Sequence, residues 1–487
     1  MKQIQADIAI AAAGPSGLAA AITAAEHGYQ VVVFEKNSTP GGTANMGIGP
    51  FGVESRIQKA SMINLTKEDA FRIHMEYAHW NVDAHIVRDY FWKSGSTIDW
   101  LEDMGVVFEG ATRYYPNAYQ TWHVVKPADG SVPGPRAAGT MIKVMFARAQ
   151  ELGVDFYFDA PVQKLLRDET GVYGYEALGK DGTEYHVEAD AVLVATGGFG
   201  DNPEMISQYC GFTYGKDMFN FRIPGVEGDG IRMMWDVGAM HTRPEMEKIL
   251  SFGDVAAANP PTKLFTQPAA LIVNRSGDRV FDETCIDNAS VAANVVSAQQ
   301  DRCVYSIIDN QLVTYYRKNG VDYPSGVRRE DPTVDFEALF AKLEQAYPNN
   351  VFSAASIEEL AGKTGIKAAQ LTETFQSYND SCRSNYDDLF GKHKRYLHPL
   401  DGETLYCIKI FPGAYGSLGG VKVNYRYEVL DAQYEPIVGL YASGTDVNSL
   451  YGDTYLFLLP GNTMGFAINS GRIAAENMAA FLERLDA

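Results

Sequence analysis

Gly14-Pro15-Ser16-Gly17 is a run of small residues set between an apolar stretch, Asp7-Ile8-Ala9-Ile10-Ala11, and a good helix former, Leu18 to His27. The chemistry open to such a turn is anion binding. Small side chains let the backbone approach a pyrophosphate, and the helix N-terminus supplies amide donors and the positive end of a dipole. Gly28 is expected to stop the helix, Gln30 to Phe34 to form a second buried strand, and Glu35 to follow it. An acid about 20 residues past the turn is placed to accept hydrogen bonds from a ribose hydroxyl and to repel a 2′-phosphate. Ala12 stands where the first glycine of G-x-G-x-x-G belongs, so the strand, turn, helix, strand context carries the reading.

Further glycine turns choose between dinucleotides. Pro40-Gly41-Gly42-Thr43-Ala44 falls where an NAD domain begins another crossover helix, and a glycine turn there can pass under a second phosphate and a ribityl chain. Ala189 to Val194 reads as a strand running into Ala195-Thr196-Gly197-Gly198-Phe199-Gly200, and Gly439 to Gly444 repeats the design. Pro460-Gly461-Asn462-Thr463-Met464-Gly465 is a last loop, ahead of a final helix from about Phe466 to Leu485. These turns point to FAD, in an FAD-dependent oxidoreductase.

The elements that position these turns must come from more than one domain. The chain has 487 residues, beyond the roughly 250–300 at which one core stops growing. Its 46% hydrophobic and 21% charged content is that of a globular protein. The formal net charge of −20 disfavours nucleic acid and anionic lipid surfaces as partners. Cys210, Cys285, Cys303, Cys382 and Cys407 contain no C-x-x-C pair, which removes support for zinc ribbons and thioredoxin-type chemistry and suits a reducing compartment. Ala6 to Ala25 is apolar but interrupted by the Gly14–Gly17 turn, and no other stretch approaches about 20 uninterrupted apolar residues. A cytoplasmic protein without a membrane span is expected.

The segments Glu35-Lys36, Gly41-Gly42-Thr43, Ala195 to Gly200, Gly228-Asp229-Gly230, Val273-Asn274-Arg275-Ser276-Gly277, Gly419-Gly420-Val421 and Gly439 to Gly444 together resemble the FAD-dependent fumarate reductase and succinate dehydrogenase flavoprotein superfamily, which includes 3-ketosteroid dehydrogenases and urocanate reductase. The resemblance covers nearly the whole chain. It implies an α/β fold with an α+β cap, in which a Rossmann-like FAD-binding domain is built from both chain ends, residues 1–204 and 405–487, around a capping domain at 205–404. It implies FAD contacts from Gly14, Pro15, Ser16, Gly17, Glu35, Lys36, Gly42, Thr43, Ala44, Val162, Ala195, Thr196, Gly197, Gly198, Asp229, Gly444, Asn462, Thr463 and Met464. Relatives with covalent flavin carry a histidine after the glycine pair; Thr43, Ala44 and Asn45 provide none, so non-covalent FAD is expected. Within the cap, 329–390 is helical in pattern, with Phe336, Leu339, Leu343, Ile357, Leu360 and Leu371 at helical spacing and Asp335 and Ser356 as N-caps. That stretch is either a mobile lid or packed helical filler.

The superfamily's dicarboxylate chemistry does not carry over. The position of the fumarate reductase proton-delivering arginine is Asp287, that of the second substrate arginine falls in Leu456-Phe457-Leu458-Leu459, that of the paired histidines in Tyr415-Gly416, and that of the upstream histidine near Ile249. A buried dianion without paired cations costs several kcal/mol per charge, so fumarate and succinate are rejected as substrates. The carboxyl end is nearer to ketosteroid dehydrogenases, whose loop tyrosine and glycine amide hold a substrate carbonyl; Tyr455 and the Gly461 amide match those roles, across an insertion of two residues. The catalytic tyrosine of those enzymes aligns with Asp287 and is absent. The reading is hydride exchange at a C=C bond next to a carbonyl, as an enone reductase of apolar or cyclic substrates. Tyr455 and Gly461 form the oxyanion site in that reading, or Tyr455 packs beside the flavin. Asp287, Tyr415 and Tyr119, in that order, are the candidate proton donors, and a purely structural Asp287 is the other possibility. Tyr114, Tyr115, Tyr119, Trp122 and His123 form an aromatic cluster that either receives substrate or builds a loop, and Arg136 faces FAD phosphate or caps a helix. A dehydrogenase introducing the C=C bond and a non-catalytic flavin-binding protein are the alternatives. The electron donor or acceptor is an unidentified separate molecule.

Overall fold

Ile8, Ala9, Ile10 and Ala11 are all buried, as a strand covered on both faces requires. The strand Lys2–Ala11 lies inside an eight-stranded sheet. Along the main path of that sheet the order is Glu428–Leu430, Pro436–Ala442, Glu184–Val194, Lys2–Ala11, Val31–Phe34, Asp155–Tyr157. The four pairings from Pro436–Ala442 onward are parallel. An antiparallel pair, Val162–Arg167 with Val172–Leu178, branches from Glu184–Val194. The expected helix runs Pro15–Glu26 and ends before Gly28 at φ 91°. It packs on the last helix, which opens at Asn462 rather than near Phe466 and continues to Leu485. The two helices meet at a glycine: a Cβ on Gly471 would lie 2.2 Å from the Ser16 carbonyl oxygen.

The computed structural model describes residues 1–256, 259–324, 331–447 and 450–485. The chain divides into two units, the first containing Met1–Cys210, Arg222–Met246 and the chain from Gly416 onward, the second Gly211–Phe221 and Glu247–Tyr415. Residues 205–210 and 222–246, expected in the cap, pack with the first unit, and 405–415 pack with the second. The local reason is clear for Gly228-Asp229-Gly230: the Gly228 amide bonds the Gly198 carbonyl at 2.9 Å, and a Cβ on Gly230 would meet Thr196 Oγ1 at 2.3 Å. No helix among the described residues is long and apolar enough to cross a membrane.

The second unit is built on an antiparallel sheet in the order Leu271–Val273, Val304–Asp309, Leu405–Leu418, Val351–Ala354, with Glu245–Ser251 added to the Leu405–Leu418 strand. Helices Phe336–Ala346, Ile357–Thr364 and Ala368–Ser384 supply Phe336, Phe340, Leu360, Leu371 and Phe375 to its core, which is the packed alternative for this stretch. Ser356 caps its helix by accepting from the Glu359 amide at 3.2 Å. Asp335 does not cap: its backbone is left-handed at φ 48° and its side chain makes no cap bond. Residues 329 and 330 of the helical reading lie outside the described residues.

Within that core sits an ion quartet. Arg279 bonds Glu283 at 3.1 and 2.8 Å and Asp387 at 2.8 and 3.1 Å. Lys392 Nζ lies 3.3 Å from Glu283 and donates to the Ala270 carbonyl and the Tyr378 hydroxyl. All four are buried, so the two positive and two negative groups neutralise one another where an unpaired charge is not tolerated. Burial works against ionisation of Asp387, but the Arg279 guanidinium and the Lys392 amide outweigh it and hold the carboxyl below the usual Asp range. Asp387→Asn is expected to cost about 3–5 kcal/mol at pH 7, read as a lower urea midpoint. Because the folded-state pKa is depressed, this stabilisation is full above the ordinary Asp pKa and fades as pH falls through the lowered value. The gap between wild type and variant therefore closes below about pH 4; a gap that persists undiminished in strong acid contradicts the assignment.

Candidate functional site

Five backbone turns of the first unit converge. The Gly41 amide bonds the Ala13 carbonyl at 2.8 Å, and a Cβ on Gly42 would lie 3.9 Å from Gly14 Cα. Ser16 Oγ and Ser443 Oγ are 2.6 Å apart, which seats Gly444 against the first turn. Met464, in the first turn of the last helix, reaches Gly47, where a Cβ would lie 2.2 Å from the methionine methyl. Gly47 closes the 3₁₀ turn Gly42–Met46 that carries Thr43 and Ala44.

The glycines divide by what a side chain would meet. At Gly17 a Cβ would lie 2.0 Å from the Ala12 carbonyl oxygen, so this glycine permits the close packing of helix on strand. A Cβ on Gly14 would find no protein atom nearer than Ala195 O at 4.0 Å, and one on Gly197 none nearer than Val226 at 3.9 Å. Gly14, Gly42 and Gly197 thus face space that side chains would fill. The Leu18 amide is paired with the Gly14 carbonyl at 2.9 Å, while the amides ahead of it, Ser16 and Gly17, have no acceptor among the described residues, as at helix starts that bind an outside anion. Ala12 adopts φ 86°, the left-handed backbone that the missing glycine would take without strain.

Glu35 ends its strand with a buried carboxylate that accepts from the Ala13 amide at 2.7 Å and the Asn37 amide at 2.8 Å. Burial lifts its pKa, opposed by those amides, and a carboxylate with two bonds retains lone pairs for hydroxyl donors. Val162 opens the strand two positions after Ala160, whose amide bonds the Glu35 carbonyl at 3.0 Å. Lys36 pairs with Glu227 and, at 2.8 Å, with Asp229, which also holds Arg232 at 2.7 Å. The cradle's most buried charge was not read from the sequence. Asp446 accepts from the amides of Thr196 at 2.5 Å, Gly197 at 3.3 Å and Gly198 at 2.8 Å, and from the Thr196 hydroxyl. Burial lifts its carboxyl above the ordinary Asp range, against the pull of those donors. Gly444-Thr445-Asp446, a strand-to-glycine turn followed by an acid, was the available signal.

At the start of the last helix, Asn462 is fully buried and its Nδ2 has no partner among the described residues. The Gly461 carbonyl accepts from Phe51 at 2.8 Å and Gly465 at 2.9 Å, and a Cβ on Gly461 would strike Phe51 N at 2.6 Å. The open-faced glycines, the unpaired helix amides and this orphaned donor fit an FAD held by its pyrophosphate, ribose and ring system. Beside this helix start, Tyr455 is buried with its ring 5.1 Å from Tyr451 and 5.9 Å from Phe457. Phe457 in turn meets Tyr114 at 4.6 Å and Tyr115 at 6.0 Å, and Tyr114 meets Trp122 at 5.5 Å.

The Tyr119 amide bonds the Leu458 carbonyl at 2.9 Å, but its ring is exposed in an open cleft of about 760 Å³. His123 is buried between Ser55 at 2.7 Å and the Thr121 carbonyl at 3.1 Å, and burial pushes its imidazole down to about 4; it is a neutral element of the strand Trp122–Val125. Arg136 is exposed at φ 77°, and the next helix has Ala137 at its cap position with no side-chain bond, so Arg136 does not cap it. Asp287 and Tyr415 belong to the second unit. Asp287 ends the turn Glu283–Asp287, and Tyr415 stacks on Phe221 at 5.9 Å.

A model of the FAD binding domain family matches residues 7–463. The chain is 31% identical to a vinyl phenol reductase of Lactiplantibacillus plantarum over 98% of this chain and 96% of that protein. It is 26% identical to an NADH:fumarate oxidoreductase of Klebsiella pneumoniae over 97% of this chain and 47% of that one, so it spans about half of that relative. The fold is shared with a 3-ketosteroid-Δ4-(5α)-dehydrogenase of Rhodococcus jostii RHA1, at a TM-score of 0.76 and 23% identity over 98% of both chains.

Two glycine substitutions separate cradle from packing. Gly14 has ordinary extended backbone, φ −70°, so Gly14→Ala should leave the melting temperature of the apoprotein within about 2 °C of wild type while weakening FAD binding by about tenfold or more, as measured by fluorescence titration. Gly17→Ala, which must displace the Ala12 carbonyl, should destabilise the protein by at least about 2 kcal/mol with or without FAD. Equal effects of the two on apoprotein stability contradict the division.

Proposed function

This chain belongs to the FAD binding domain family, and from that membership we propose that it reduces a polarised C=C bond in an uncharged aromatic or cyclic substrate, conjugated to a carbonyl or to a phenol ring. The observation that carries this reading is the wall beside the last helix. Tyr451, Tyr455, Phe457, Tyr114 and Trp122 are in ring contact there, and Leu450 to Gly461 contains no Lys, Arg or His. Aromatic faces hold a planar apolar substrate, whereas a dicarboxylate needs paired cations. Similarity over nearly full length to a vinyl phenol reductase supports the same class.

FAD bound here and reduced by a separate electron donor would supply the hydride, and the protein supplies orientation and electrostatics. The Tyr455 hydroxyl and the Gly461 amide hold the substrate oxygen and stabilise the negative charge that gathers on it as the alkene is reduced. A side chain delivers the proton to the other alkene carbon. Asp287 is the first candidate, then Tyr415, and Tyr119 is the least suited because its ring faces an open cleft. FAD is held without a covalent bond, since Thr43, Ala44 and Asn45 offer no attaching histidine.

Anaerobically photoreduced enzyme mixed with a cyclic enone, 4-vinylphenol or fumarate tests the assignment. Rapid flavin reoxidation by either of the first two and none by fumarate is expected. Brisk reoxidation by fumarate alone overturns it, and bleaching of the oxidised enzyme by a saturated cyclic ketone instead assigns the dehydrogenase direction. Tyr455→Phe should lower kcat by about 10²–10³, as loss of an oxyanion donor does, with FAD content unchanged; a kcat within twofold of wild type removes Tyr455 from the site.

A further inference from the structure

Tyr451 lies between two orphaned polar atoms. On one side its ring stacks on His74, centroids 6.1 Å apart. His74 is fully buried, its Nε2–H donates to the Leu450 carbonyl at 2.6 Å, and its Nδ1 has no partner among the described residues. Burial pushes this imidazole down to about 4, so near neutral pH it is an uncharged brace for the backbone carbonyl next to Tyr451. On the other side the Tyr451 hydroxyl donates to Asn462 Oδ1 at 2.7 Å and lies 3.2 Å from Thr463 Oγ1. The Asn462 carbonyl accepts from the Tyr90 hydroxyl at 2.9 Å.

A tyrosine hydroxyl has one proton. Given to Oδ1, it fixes which end of the Asn462 carboxamide is acceptor and which is donor, and leaves the hydroxyl oxygen to accept from Thr463. The other end, Nδ2, is then a buried N–H donor with no protein acceptor, an arrangement retained at a cost unless a ligand satisfies it. Asn462 is also the first residue of a 24-residue helix, where the helix dipole favours negative charge. Two-electron reduction adds negative charge to an isoalloxazine, so a donor fixed here favours the reduced cofactor.

We propose that Tyr451 is a positioning residue for the flavin. Its hydroxyl, braced by His74, locks the Asn462 carboxamide so that Nδ2–H is presented to bound FAD, and this raises the flavin's reduction potential. The inference rests on the FAD assignment and not on the identity of the alkene, because it is read on the flavin with no substrate present.

The test is a double-mutant cycle on FAD-loaded protein, with the midpoint potential measured by dye equilibration. Tyr451→Phe is expected to weaken reduced relative to oxidised FAD by about tenfold, which for a two-electron couple is about 30 mV lower. Asn462→Ala should lower it at least as much, and the double variant should match Asn462→Ala alone. A potential unchanged in Tyr451→Phe, or two shifts that add in the double variant, overturns the proposal. Where a variant loses flavin on purification, the Kd of oxidised FAD by fluorescence quenching carries the same cycle: non-additive losses support Tyr451 acting through Asn462, and additive ones overturn it.

Discussion

A carboxylate sealed inside the first unit sets the geometry of everything around it. Asp446 draws the amides of Thr196, Gly197 and Gly198 onto two oxygens, and that converts a glycine-rich loop, which on its own would sample many conformations, into a single curved turn. The same turn then receives Gly228 on its Gly198 carbonyl and Gly230 against Thr196. The strand ends Val194 and Ala442 are aligned in parallel register beneath it. Removing this one acid would leave three amides, that of the buried Gly198 among them, to find other acceptors.

What was legible in the sequence was what local spacing encodes. The first strand, turn and helix fell where apolar runs and glycines placed them, and the strand-to-glycine segments at Ala195 and Gly439 lie together as the superfamily resemblance implied. Asp446, His74 and Tyr451 were not legible. Each acts on a group brought to it by folding: Asp446 on a turn about 250 positions earlier and His74 on a carbonyl 376 positions later. Asp335 failed as a cap because its backbone is left-handed, which the residue type alone does not reveal. Ala12 shows the converse, a residue that accepts strained backbone where glycine is the usual solution.

The two units hold buried charge in two ways. In the second, Arg279 and Lys392 are matched with Glu283 and Asp387, while the buried Asp309 accepts from the Leu312 and Gly402 amides. In the first, the buried acids Glu35 and Asp446 are met chiefly by backbone amides, which carry no net charge. The aromatic wall at Tyr455 and Phe457 adds no cation to this field, and that is why its substrate is read as neutral.

Ser16 and Ser443 touch across 427 positions of sequence. A ribosome must therefore add those 427 residues before the nucleotide cleft can close, and until then Val192 to Val194 lack Leu440 to Ala442 beside them and the first helix lacks the last one. Such late, long-range closure is slow and leaves sheet edges exposed to aggregation. A coenzyme that binds only the finished cleft draws the equilibrium toward the native state, so the vitamin supply of the cell enters the yield of folded enzyme as well as its activity.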